Sequence, residues 1–570
     1  MHKTLSFSRA RPHRRVRARV QASTHSFGGT AQERTLDGLL YLGALKVKTP
    51  GQQTVLSVAN TYGKVQELKT SNRSDTSGSA SSVKNNQYAY DDETRLIQAK
   101  TDTGGLFGTD TENFTLDAVG NRIAHSKVSG AWAYDANNRL TKRGSGPCGS
   151  TGTTCYDWDE AGNLTQKTEA GKTTQYSYDT QNRLVEVKDT SNGQANLVAR
   201  YGYDPLDRRI WKEQYRTADG QALPQAQRTY YLYADEGLIS ESTQAITLNA
   251  DGSVSACSTP QISTQYGPRP DSEFTTGTLF VKTKNSNGQD SFAYLHHDHL
   301  QTPLQATDKA GNVVWAASYN AFGKASITTP AATPEKPTIT VNLRLPGQYL
   351  DEETGLHYNW HRYYDGETGR YVTQDPIGLE AGINRYAYVR NNPQSFIDPI
   401  GLYDSSSPWS VGWEWLTGTG PRHHDFNDGD PFTENLRKHN NIQRLKKRAC
   451  AGTIPNQGKW DYSVGGWDGA FLFLHDYSNL LTGGLTGNLA VTYLGSYKAN
   501  YTISNGTLNV VVNNSSTIQS ATHPPVIGYT KWWSDNVGNP LDKKFQSGPM
   551  SKTTQTFNMT FDLAGDCPCQ

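Results

Sequence analysis

The sequence predicts a mainly β protein, a long series of β-hairpins followed by a small α+β domain, and three observations carry that expectation. A short unit built on Tyr-Asp and Arg-Leu recurs through the first 400 residues. The composition agrees: 31 Tyr stand against three Met, and only 19% of residues are charged, the balance going to uncharged polar side chains that strands and tight turns consume. The aromatic habit then changes, with 24 of the 31 Tyr at or before residue 402 and seven of the twelve Trp after it.

The same numbers exclude several classes. An apolar share of 35% with 53 Gly suits sizeable cores and fits neither a coiled coil nor a highly charged disordered chain. Fifty-five basic residues against 54 acidic ones leave a net charge of +1, so no global field favours nucleic acid or an anionic membrane. No window approaches the roughly 18 uninterrupted apolar residues of a transmembrane helix, and the nearest, 471–495, contains His475 and Asp476.

Taken in order, residues 1–34 carry Arg9, Arg11, Arg14, Arg15, Arg17 and Arg19 without the apolar stretch of a secretory signal, and read as a basic disordered leader. The repeats fill residues 35–340. Tyr90-Asp91 leads to Arg95-Leu96, Tyr134-Asp135 to Arg139-Leu140, Tyr178-Asp179 to Arg183-Leu184, and Tyr203-Asp204 to Arg208-Arg209. Variants follow Asp117 and Asp159, where Gly120-Asn121 and Gly162-Asn163 replace the arginine turn. Each unit reads as an aromatic strand, a turn capped by Asp with a positive-φ residue, and a strand opened by Arg-Leu. A lone hairpin is marginal, so successive units must pair edge to edge in one long sheet. Spacings of 26, 18, 24, 20 and 25 residues between the aspartates argue against a strictly regular solenoid. Cys148 and Cys155 bracket a Gly/Ser/Thr loop and are either a staple or two free thiols. His296, His297 and His299 are expected to pack within the sheet, a metal site being the alternative.

These units resemble the tyrosine-aspartate (YD) repeats of the rearrangement-hotspot (Rhs) family, related to teneurins and to the C subunits of insecticidal toxin complexes. The similarity is densest near its end: Leu345-Pro-Gly-Gln-Tyr349, Glu353-Thr-Gly-Leu356, Arg362-Tyr-Tyr-Asp365, Gly369-Arg-Tyr371 and Asp375-Pro-Ile-Gly-Leu379, then a second Asp398-Pro-Ile-Gly-Leu402. Gly366 departs from the family pattern, where Pro is expected, and should only loosen a turn. The resemblance implies that the β-hairpins spiral into a hollow shell, here a partial shell, and identifies residues 341–402 as a core-associated self-cleavage domain. Family members are much longer, so 400 shell residues are too few to close the shell alone, and the chain reads as a truncated or displaced cassette.

Two carboxylates brought together cannot both ionise comfortably and can divide acid and base roles at one peptide bond. Taken alone, Asp-Pro-Ile-Gly is better read as a turn used twice. The resemblance implies that Asp375 and Asp398 are a catalytic pair supported by Arg362, needing no cofactor, and that the cut falls between Leu402 and Tyr403.

Residues 403–570 then form a separate module, by resemblance a variable C-terminal toxin domain. A helix is expected from Pro431 to Lys447, capped by Asp430, with strands at 500–514, 554–563 and, less cleanly, 522–533. Arg422, His423, His424, Asp425, Asp428, Asp430, Arg437 and His439 gather charged and imidazole groups within 18 residues. They could hold a divalent metal that activates water in a nuclease, and the basic run through Arg448 would favour phosphate. A solvated helix face and an Asp cap explain the same residues. Cys567-Pro-Cys569 reads as a tail clip or free thiols.

The resemblance further implies a cognate immunity protein, a secretion spike or carrier, a cytoplasmic state before export, and release inside a competitor or host cell. A membrane-active effector and a YD-repeat surface or adhesion protein with a ligand-binding tail are the alternatives.

Overall fold

In a computed structural model the described residues are 22–27, 30–36, 42–63, 67–77, 80–103, 109–191, 193–234, 237–269, 274–285, 288–330, 339–378, 382–402, 423–426, 428, 431–462, 494, 496–504, 506–517, 551–563 and 567. Nine strands from Ala22 to His125 form one antiparallel sheet and seventeen from Trp132 to Thr328 form another, each in sequence order. The strand Ala22–Phe27 lies within the expected leader and Thr30–Leu36 begins in it; both correct it, because Ala22 pairs with Thr35 and Ala31 with Lys48 in the sheet ladder.

The repeat has a local chemical cause. In the arginine turns Asp accepts from the backbone amide four residues on and from that residue's guanidinium group, as in Asp179 with Arg183 at 3.0 Å and 2.8 Å. The arginine reaches on to the next turn, Arg139 donating to the Asp159 carbonyl at 2.8 Å and Arg183 to that of Asp204 at 3.2 Å. Asn138 and Asn182 supply the left-handed residue at φ 64° and 60°. Tyrosine is needed, and not phenylalanine, because its hydroxyl donates to the carbonyl at the head of the preceding second strand. Tyr90 meets Leu68, Tyr178 meets Leu164 and Tyr203 meets Leu184 at 2.9, 2.9 and 2.6 Å. Trp158 substitutes its indole N–H toward Leu140.

The nine-stranded sheet packs against the last strands of the seventeen-stranded one. Gln32 meets the His296 imidazole at 2.8 Å, and Arg73 donates to the carbonyls of Ala317 and Leu304. His296 is therefore a packing residue: it is buried, bonded also to Thr307, and burial lowers its pKa to about 3, keeping it neutral. His297 is buried beside it, and His299 meets the Gln394 carbonyl. Cys148 and Cys155 form a disulfide.

A four-stranded sheet spanning Tyr349–Tyr371 packs onto the repeats and shares the core of the larger sheet through Tyr349, Leu356, Tyr358, Tyr363 and Val372. Tyr203 and Tyr363 join hydroxyls, Arg209 donates its backbone amide to the Tyr358 hydroxyl, and Tyr386 donates to the Gly162 carbonyl.

Beyond residue 402, five strands assemble in the order His423–Phe426, Thr553–Asp562, Thr507–Ser516, Lys498–Ser504 and Gln457–Lys459, the first pairing parallel. Phe426, Phe432, Leu436, Ile442, Leu445, Val510, Phe557 and Phe561 belong to a core of their own. The expected single helix is two, Pro431–Arg437 and Asn440–Cys450, since His439 takes an extended φ/ψ of −63°/136° and buries its ring against the Tyr497 hydroxyl. The expected strand at 500–514 is a hairpin turning at Gly506, φ 74°. Cys450 and Cys567 form a second disulfide, which ties the end of the helix to the tail. The expectations for 1–21, 471–493, 522–533 and Cys569 lie outside the described residues.

Candidate functional site

Each Asp-Pro-Ile-Gly segment is a turn, and each turn presents its carboxylate to the same guanidinium group. Asp375 accepts the Ile377 amide on Oδ1, while the Gly378 amide closes the turn on the Asp375 carbonyl at 3.0 Å. Asp398 Oδ1 accepts the amides of Gly401 at 2.8 Å and Leu402 at 3.1 Å. Arg362, on the strand Arg362–Asp365, places Nη2 2.8 Å from Asp375 Oδ2 and 3.2 Å from Asp398 Oδ2, all three side chains being buried. Its Nε donates to the Gly401 carbonyl and its Nη1 to the Arg385 carbonyl. The structure thus brings together the three residues expected from the sequence.

The two carboxylates are not equivalent. Burial pushes Asp375 up to about 7, with Arg362 pulling the other way and the Asp398 charge adding to the rise. Burial also raises Asp398, opposed by Arg362, Tyr371 and the two backbone amides. With more donors aimed at it, Asp398 is the better home for the negative charge, and Asp375 for the proton. Burial works against the Arg362 charge, but Asp375, Tyr371 and Asp398 outweigh it.

Leu402 is buried with Ile400 against Trp360 and Ile377, and Gly401 sits at φ 75° with no space for a side chain, since a Cβ there would fall 2.2 Å from the Asn359 carbonyl oxygen. Tyr403, on the far side of the expected cut, lies outside the described residues, as does Leu379. Sequence reasoning missed Tyr371 and Asn359. Tyr371 donates to Asp398 Oδ2 at 2.5 Å, and Asn359 donates to the Tyr371 oxygen and to the Asp398 carbonyl, each at 2.9 Å. Tyr371 was visible as part of Gly-Arg-Tyr, but spacing along the chain gives no sign that its hydroxyl ends on Asp398.

The C-terminal cluster does not converge as the sequence suggests. His423 and Asp425 form an exposed pair at 3.1 Å, with His423 also bonded to Thr554. Asp428 and Arg437 pair with each other and with the backbone of Thr560, fastening the helix to the sheet. His424 stacks on Phe426, and His439 is buried. Alternation along the strand and the break between the helices separate these groups; Arg422 and Asp430 lie outside the described residues. Among the described residues no three His, Cys, Asp or Glu side chains are grouped to hold a metal.

The Teneurin YD-shell family matches residues 14–253 and the RHS protein family matches residues 293–326. The double-stranded DNA deaminase toxin A of Burkholderia cenocepacia is 30% identical over 323 residues, 56% of this chain and 21% of that protein. The repeat region is of the Rhs/YD type. Two further relatives match: toxin protein Tse5 of Pseudomonas aeruginosa, 30% identical over 353 residues (55% of this chain, 25% of that one), and the tRNA3(Ser)-specific nuclease WapA of Bacillus spizizenii, 27% over 314 residues (53% and 11%). The chain thus spans a quarter or less of the length of each of these relatives. No described helix is long and apolar enough to cross a membrane.

Proposed function

We propose that this chain is an Rhs toxin that cuts its own backbone between Leu402 and Tyr403, freeing residues 403–570 as a nuclease-type effector that acts in a competitor or host cell. The observation that carries the cleavage is Arg362 Nη2 lying within hydrogen-bonding distance of both Asp375 and Asp398, while Asp398 grips the Leu402 amide. Asp398, as the carboxylate, takes a proton from water as the water oxygen adds to the Leu402 carbonyl carbon, and Asp375 gives its proton to the carbonyl oxygen. Collapse of that adduct breaks the C–N bond, with a proton returned to the Tyr403 nitrogen, leaving a Leu402 carboxyl group and a free amine. No cofactor enters.

The nuclease class draws support from a relative named as a tRNA nuclease, and a second, named as a DNA deaminase toxin, shares nucleic acid as its target. In this reading the effector uses a divalent metal; His423 and Asp425 are exposed on one strand face but are bonded to each other, so a metal there would have to displace that pair. Export on a secretion spike or carrier and neutralisation by an immunity protein complete the proposal.

Expression of the full chain and of Asp398→Asn in a bacterial cytoplasm tests both parts. The parent should yield a fragment of about 18 kDa, growth arrest and degraded nucleic acid, and the variant should remain intact at 62.9 kDa. The same fragment from Asp398→Asn would overturn the cleavage assignment. Arrest with intact nucleic acid would overturn the nuclease class.

A further inference from the structure

We propose that Tyr371 is a positioning residue for self-cleavage, holding Asp398 as the ionised member of the pair and fixing the Arg362 plane between the two aspartates. The inference rests on the self-cleavage reading above. Three contacts support it. The Tyr371 hydroxyl donates to Asp398 Oδ2 at 2.5 Å. Asn359 Nδ2 donates to the oxygen of that hydroxyl, which leaves its hydrogen directed at the carboxylate, and the same amide group holds the Asp398 carbonyl. The Arg362 guanidinium carbon lies 3.5 Å from the centre of the Tyr371 ring, so the ring is a platform for the cation that spans both aspartates.

The titratable and charged groups that face Asp398 are Arg362 and Tyr371 from the four-stranded sheet, Asp375 from the first turn, and Tyr388. Burial and the nearby Asp398 charge hold both tyrosines neutral. Oδ2 also faces Arg362, but that guanidinium group is shared with Asp375. Removing the Tyr371 hydroxyl therefore makes Asp398 easier to protonate, and a cleavage rate that needs its carboxylate loses its acid side first.

Full-length chain isolated in urea is diluted into buffers from about pH 4 to 9 and the fragment timed by gel and intact mass, with refolding followed by tryptophan fluorescence. Tyr371→Phe, which keeps the ring, should move the acid limb up by about one pH unit, slowing cleavage by up to about tenfold on the acid side of the profile, while leaving the alkaline limb in place. Tyr364→Phe serves as the control, since it removes another buried hydroxyl, bonded to the Phe322 carbonyl, and should keep the parent profile. A Tyr371→Phe profile that overlays the parent, or one matched by Tyr364→Phe, would overturn the positioning role. Cleavage by Asp398→Asn in the same assay would overturn the reading beneath it.

Discussion

Arg209 donates to the Asp351 carboxylate at 2.5 Å across 142 residues of chain, and both side chains are buried. Lys212 joins the same carboxylate and that of Glu353, while Tyr231 and Tyr358 flank the Arg209 guanidinium group. This cluster bolts Tyr349–Asp351, the first strand of the four-stranded sheet that carries Arg362, onto the repeat sheet. Asp351→Ala leaves two buried cations short of charge and should cost about 3–5 kcal/mol. The urea midpoint of the 1–402 portion should fall, and the 18 kDa fragment should appear more slowly.

Gly401→Ala should nearly abolish cleavage while all three charged groups remain. The added Cβ meets the Asn359 carbonyl oxygen at 2.2 Å, and φ 75° is strained for any side chain. Relief of that clash drags the Leu402 amide off Asp398. Timed gels at 25 °C read the loss, and a normal rate would contradict the close fit described here.

Asp375 sets a pH dependence of definite sign. Its pKa is raised to about 7, so its contribution to stability is fully present below the ordinary carboxylate value and lost as pH rises through about 7. Cleavage that needs the Asp375 proton declines over the same alkaline range. Urea titrations of an Asp375→Asn chain should show a flatter stability profile between about pH 5 and 8 than those of Asp398→Asn, which retains the titrating group.

Tyr178→Phe removes only the hydroxyl that meets the Leu164 carbonyl and should destabilise the repeat sheet by about 1 kcal/mol or somewhat more. Chemical denaturation of an uncleaved background is the measurement. An unchanged midpoint would deny the structural reason given for tyrosine in the repeat.

The Cys450–Cys567 disulfide closes a long loop of 117 residues, so Cys450→Ala should destabilise the C-terminal unit by about 2–5 kcal/mol. Guanidinium titration with and without reductant reads it. Cys257→Ser, at an exposed free thiol, should change nothing.

The repeats were legible in the sequence because their chemistry is local: Asp179 and Arg183 find each other four residues apart within one turn. The cluster of Asp375, Asp398 and Arg362 was legible through two copies of one motif and an arginine. Tyr371 and Asn359 were hidden because both meet Asp398 only after the 349–402 segment has folded. Arg209 looked like one more repeat arginine, yet its partner Asp351 belongs to another sheet. In the C-terminal unit, proximity along the chain misled. His423 and Asp425 share one strand face, whereas His439 lies in the core beside Tyr462 and Tyr497.

The hydroxyl that each repeat tyrosine extends to the unit before it makes the shell a nearest-neighbour construction. Units with the tyrosine are stitched to their predecessors by the same few atoms, whatever the length of the connection between them. Whole units can therefore be gained or lost during evolution without redesigning the remainder. Spacings that wander from 18 to 26 residues are what such a modular architecture tolerates.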